Sequence, residues 1–143
     1  MFSQSVRSLM DRGKLLLVSG ATTVREAAEV MKAKHYGAVL VMEDEQLKGI
    51  FTERDAVFRV IAPGLDPDTT QVQKVMTKSP KTIAPDKTFG HAMLVMHENG
   101  FRHLPVVENG KLVGMVSSRN ALDPSLEEFV FEERRRKHLI ETR

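Results

Sequence analysis

Apolar positions along the 143-residue chain follow two rhythms, and each rhythm is written twice. Val24, Ala27, Ala28 and Met31 fall at i, i+3, i+4 and i+7, the stripe of an amphipathic helix, and Phe89, Ala92, Met93 and Met96 repeat it. After each helical stripe come two short apolar runs parted by a turn, AVLVM and LKGIF in the first copy, LPVVE and LVGMV in the second. Runs of this length between turn formers predict buried strands. The second of these turns, ENGK, holds the Asn-Gly pair favoured in two-residue hairpins. A short apolar segment enters each helix through VSGATTV or IAPDKTF, and a last helix opens at Thr52 or Ser117. The predicted unit is β-α-β-β-α.

Shifted by 65 positions, Val18–Ala56 aligns with Ile83–Ala121 without a gap. Thr23/Thr88, Met31/Met96, Gly49/Gly114 and Arg54/Arg119 are identical pairs, and Tyr36/Phe101 and Thr52/Ser117 are conservative ones. One unit alone is too small to cover its own sheet, whereas two packed face to face hide both apolar surfaces. The expectation is therefore an α/β (α+β) fold of two β-α-β-β-α repeats in a pseudo-two-fold pair. Residues 1–62 form the first repeat, 63–73 a linker, 74–122 the second repeat and 123–143 a C-terminal helix. The stretch APGLDPDTTQ supplies the turn formers of the linker. VQKVMTKSP is read as the lead into the second copy, and VRSLMDRG as the lead into the first, one residue out of register. Asp123 as N-cap and Pro124 at N1 start the last helix, which is expected to bury Leu126, Phe129 and Val130 on one side, against a second subunit.

Composition narrows the class. Apolar residues make up 41% and charged residues 28%, which is globular rather than disordered. The longest aliphatic run, LLLV, falls far short of the ~20 residues of a membrane span, and the N-terminal stretch has no apolar h-region. The absence of cysteine rules out disulfides, thiolate metal sites and a cysteine nucleophile. A cytoplasmic protein is expected. The net charge is +2, and ERRRKH at 133–138 holds four of the 21 Lys and Arg residues. Cations in the last turns of a helix complement its dipole, and acids flank them here; a nucleic-acid patch is the other reading. The five histidines show no metal-ligand spacing, and no GxSxG, Walker A or Rossmann glycine motif occurs, so neither a metal nor an enzyme is expected.

Two such units carrying GIFTERD and FRHLPVV…LVGMVSS resemble a pair of CBS domains, the module named for cystathionine β-synthase. The phrase hG-h-h-[ST]-x-x-[DN], met twice at fixed spacing, carries a likeness that spans roughly Leu9 to Leu122. The resemblance implies a regulatory protein rather than a catalyst, with clefts between the repeats that take an adenosyl ligand such as AMP, ADP, ATP, NAD or S-adenosylmethionine. It also implies disc-like homodimers and a regulated partner protein, and stand-alone pairs of this length are similar to a bacterial group thought to bind AMP or NAD. A ligand-free interaction module, or a nucleic-acid binder using Arg134–Lys137, are the alternatives from other classes.

Thr52 and Asp55 have two readings. The pair fits a capping box, in which the hydroxyl caps an early N–H and the acid reaches back. A carboxylate at a helix start can also accept hydrogen bonds from both hydroxyls of a ribose, near a helix N-terminus that favours phosphate. The resemblance implies the ribose role for Thr52 and Asp55, and for Ser117 and Asn120 in the second copy. It implies a phosphate-binding role for Arg102 and His103, joined by Arg119 at the ligand held by Asp55, with Arg54 as the counterpart of Arg119 in the other cleft. Arginine offers a planar fork for phosphate oxygens, although Arg102 and His103 also stand where side chains simply reach solvent. Val18, Ile50, Ile83, Leu104 and Met115 are expected to line the adenine clefts. The first copy has Gly37 and Ala38 where the second has Arg102 and His103, and Asn120 brings no charge. Hydrogen bonds to charged groups are worth ~1.5–3 kcal/mol against ~1 for neutral ones, so the two clefts should differ in affinity or ligand.

Overall fold

The structure, a computed structural model, describes residues 2–13, 15–121 and 132–139. The chain runs α1 (Val6–Leu9), β1 (Leu17–Val18), α2 (Val24–Lys34), β2 (Ala38–Glu43), β3 (Gln46–Thr52) and α3 (Glu53–Asp55), which continues as a π-helical stretch, Ala56–Ile61. Then follow α4 (Val72–Val75), β4 (Thr77–Lys78), α5 (Phe89–Asn99), β5 (His103–Glu108), β6 (Lys111–Ser117) and a 3-10 turn, Ser118–Ala121. The long helices α2 and α5 begin and end alike. The hydroxyls of Thr23 and Thr88 accept the N–H of Glu26 and His91, and the left-handed residues His35 and Gly100 stop the two helices.

The first sheet has the order β1-β2-β3-β4, with β1 parallel to β2 and the other pairs antiparallel. In the second, β5 and β6 form a hairpin with the same bulge as its counterpart, at Val106/Val107 against Val41/Met42. The outer strands shrink there to single bridges, Ile83 with Val106 and Asp11 with Met115. The predicted pair of β-α-β-β-α units is the observed architecture.

The cores follow the helical stripes, with one narrowing. Val24, Ala27 and Met31 are buried against Val39, Val41 and Phe51, and Phe89, Ala92 and Met96 against Leu104, Val106 and Val116. Ala28 is exposed and Met93 half-buried, so each helix buries a thinner face than its i+4 positions suggested. A third cluster, Tyr36, Ala38, Leu40, Ile50 and Met115, joins the two sheets.

The two lead-in segments are exchanged. Val72, Val75 and Met76 pack into the core of the first repeat, and Val6 and Met10 into that of the second. Val72 N–H donates to the Thr22 carbonyl and Val24 N–H to that of Thr70; Val6 N–H donates to Lys87 and Phe89 N–H to Gln4. Met76 fills the space over Gly49, where a Cβ would meet its sulfur at 2.3 Å, and Met10 does the same over Gly114 at 2.6 Å. VQKVMTKSP thus completes the sheet behind it, pairing β4 with β3, and the boundary expected at residue 74 cuts through a segment that belongs to the first core. Both short helices carry the same apolar spacing, so either copy could have accepted either one.

Residues 132–139 are helical, with ion pairs Arg135–Glu132 and Arg136–Glu133 along the axis. The expected helix start at Asp123 and the apolar side formed by Leu126, Phe129 and Val130 lie outside the described residues.

Candidate functional site

Strand β3 delivers Thr52 in extended conformation, and the chain turns at once into α3. Asp55 N–H donates to Thr52 Oγ1 at 3.2 Å, while Asp55 Oδ2 accepts from Thr52 N–H at 3.0 Å and from Thr52 Oγ1 at 3.2 Å. The capping box is therefore formed, and it uses one carboxylate oxygen. The other oxygen, Oδ1, lies 3.6 Å from Arg59 Nε, one turn on. Arg59 in turn donates to the carbonyls of Met76 at 2.9 Å and Val75 at 3.4 Å, which ties the exchanged α4 to the carboxylate. Although Asp55 is only 9% exposed, it borders a cavity.

That cavity has two adjoining lobes that share Thr52, Arg54, Gly100, Phe101 and His103. The inner lobe, about 460 Å³, adds Ile50, Asp55 and Arg59, together with Thr77, Pro80 and Lys81 from the exchanged segment. The outer lobe, about 430 Å³, adds Glu53, Phe58 and Arg102. Arg54 crosses between the repeats, donating to the Gly100 carbonyl at 2.8 Å with its guanidinium 5.5 Å from the centre of the Phe58 ring. Helix N-terminus, carboxylate, hydroxyl and cations thus meet in one cleft of a size suited to a small ligand.

The mirror-related cavity is smaller, about 340 Å³, and is lined by Tyr36, Glu53, Arg102, His103, Ser117, Ser118 and Arg119. Asn120 repeats the acceptor half of the box without charge: its Oδ1 accepts from Ser117 N–H at 2.8 Å and Ser117 Oγ at 3.3 Å. Ser117 is buried. Tyr36 OH donates to Asp11 Oδ2 at 3.3 Å, and burial, then the Asp11 charge, push the phenol above its usual value. His103 stands between the clefts with its ring edge-on to Tyr36, centroids 5.8 Å apart. Burial pulls its imidazole below the usual value, Arg102 adds to that, and the charges of Glu53 and Asp11 oppose it.

Thr52, Arg54 and His103 line both lobes, Asp55 the inner and Arg102 the outer; Arg54, expected in the mirror cleft, stands here, and Arg119, expected beside Asp55, lines the mirror cavity instead. Of the five apolar lining positions, Ile50 alone borders the Asp55 cleft. Val18 lines a separate groove beside Leu17 and Lys111. Ile83 and Leu104 are in the core of the second repeat and Met115 is in the cluster between the sheets. Successive strand residues point to opposite faces: Leu104 and its partner Val116 face the core of their own repeat, and Met115 faces the cluster between the sheets. Thr77, Pro80, Lys81, Arg59 and Glu53 were not singled out from the sequence. For Arg59 the signal was there, an arginine four residues after the carboxylate on a helix; for the residues around β4 it required knowing that the segment crosses over.

The CBS domain profile matches residues 6–62 and 72–126. The chain belongs to the CBS-domain family. CBS domain-containing protein CBSCBSPB2 of Arabidopsis thaliana is 40% identical over 110 residues, which cover 76% of this chain and 20% of that protein. The chain therefore spans about a fifth of that relative. Among solved structures, an uncharacterized conserved protein from Pyrococcus horikoshii superposes with a TM-score of 0.81 at 30% identity, covering 87% of this CBS chain and 94% of that one. A CBS domain protein from Pyrobaculum aerophilum complexed with AMP shares the fold at 22% identity, with a TM-score of 0.76 and coverage of 90% and 99%. Among the described residues of this CBS pair, no cluster of His, Asp and Glu could hold a metal ion, and no helix is long and apolar enough to cross a membrane.

Proposed function

We propose that this CBS pair is a regulatory module that binds an adenine nucleotide in the cleft on Asp55 and passes the ligand state to a partner protein through a homodimer. The observation that carries the reading is the coincidence, in one cleft, of the Thr52–Asp55 helix start with the cations Arg54, Lys81 and Arg102. Ribose hydroxyls would donate to Asp55 Oδ1, the oxygen that the capping box leaves free, and phosphate would lie toward Arg102 and His103 in the outer lobe. That a protein of this fold is complexed with AMP is consistent with this use of the cleft. The mirror cleft, built on uncharged Ser117 and Asn120, would be the weaker site. Ligand binding alters a partner only if it favours one of two arrangements, and Arg54, bonded across the repeats, is the contact such a change would strain.

The test is thermal stability with AMP, ADP, ATP, NAD, NADH and S-adenosylmethionine, for the wild type and Asp55→Ala. A ligand at 100 times its dissociation constant should stabilise by ~2.7 kcal/mol. The reading fails if no adenosyl compound raises the wild-type midpoint, or if Asp55→Ala responds as the wild type does.

A further inference from the structure

Glu53 is a carboxylate in a place where a phosphate site has no evident use for one. It lines the outer lobe beside Arg102 and His103, and it lines the mirror cavity with the same two residues. Its N–H donates to the Gly37 carbonyl, and its Oε1 hangs over Gly37, where a Cβ would approach it to 2.9 Å. Gly37 is the first-repeat counterpart of Arg102, so the missing cation of one copy is replaced in space by a carboxylate from α3. The second copy has neutral Ser118 at the matching position. An acid in the first turn of a helix suits the dipole, which accounts for an acid there but not for its facing Arg102 across a cavity. Among the described residues no ion pair engages it.

The charges of the cleft can be counted. Arg54, Arg59, Lys81 and Arg102 stand against Asp55 and Glu53, a formal surplus of two positive charges with His103 neutral. A phosphate monoester carries about −1.5 to −2 at neutral pH, which that surplus balances. A free nucleoside triphosphate brings about two further negative charges and would have to place them in the lobe that Glu53 borders, where they are repelled. We propose that Glu53 sets the ligand's charge: the cleft selects nucleoside monophosphates over free triphosphates, and Glu53 is the residue that discriminates. This rests on the nucleotide reading above and goes further by naming the phosphorylation state.

The experiment is isothermal titration of the full chain with AMP, ADP and ATP at low ionic strength, with and without excess Mg²⁺, for wild type, Glu53→Gln and Glu53→Ser. The wild type is expected to bind AMP at least ~10-fold more tightly than metal-free ATP, and Mg²⁺, by neutralising part of the triphosphate, should narrow the gap. Both variants should raise the affinity for ATP relative to AMP by ~3- to 10-fold. Wild-type preference for free ATP, or an ATP-to-AMP ratio that neither variant alters, overturns the role of Glu53 while the nucleotide site stands. Failure of all three nucleotides to bind the wild type overturns the monophosphate preference, and the nucleotide reading falls with it when NAD, NADH and S-adenosylmethionine fail as well.

Discussion

At the residue scale the capping box could be read directly from the sequence, because it depends on four consecutive residues and on nothing distant. TERD forms it at Thr52 and Asp55, and at Ser117 and Asn120 the amide oxygen repeats its acceptor half. Thr52→Ala should lower stability by ~1 kcal/mol, the usual cost of a lost cap, measured as a shift in the denaturation midpoint at unchanged m. Whether Ile83, Leu104 and Met115 face a cleft or a core could not be read, because apolar side chains suit both and only the strand register decides. His103 adds a pH dependence. Burial depresses its folded-state pKa below the unfolded value of about 6.5, so the unfolded chain takes up the proton first as the pH falls. The stability that neutral His103 contributes is complete above that pH and is lost as the pH drops through the unfolded value toward the depressed one. His103→Gln should therefore show a flatter loss of Tm between neutral and mildly acid pH than the wild type. Parallel profiles for the two proteins would place the pH dependence elsewhere.

At the element scale the gapless internal match gave the order of strands and helices, since period and turn chemistry are local properties. The exchange of α1 and α4 was not legible. Val6, Leu9 and Met10 match Val72, Val75 and Met76 in spacing, and hydrophobic burial has no direction along the chain. The exchange has a measurable consequence. Met10 lies near the N-terminus, yet it packs with Phe89, Leu104 and Val116, and its sulfur covers Gly114. Met10→Ala should destabilise by ~2–5 kcal/mol, as buried methionine truncations do. Hydrogen exchange should then rise first in α5, β5 and β6, leaving α2 and β2 nearer to wild-type protection. Loosening confined to residues up to Thr52 would contradict the exchanged packing.

At the scale of the whole molecule, the exchange ties the repeats together, because each core contains a short helix from the lead-in of the other. A ligand on Asp55, as proposed above, would bear on α4 through Arg59 and on the end of α5 through Arg54. What lies outside the pair is written on its surface. Val57, Phe58 and Ile61 are 49%, 63% and 70% exposed along the π-helical stretch, a cluster of large apolar side chains on one element. Such clusters on a soluble chain mark interaction sites more often than isolated exposed side chains do. The homodimer proposed above would cover this face and set two Asp55 clefts close to the interface. Ile61 is the residue to change, since it lines neither lobe of the cleft and an exposed substitution should alter monomer stability by no more than ~0.5 kcal/mol. Light scattering coupled to size exclusion should find twice the chain mass for the wild type and one chain for Ile61→Asp. A wild-type monomer would remove the dimer from the mechanism, and an Ile61→Asp protein that keeps its dimer mass would move the interface to another face.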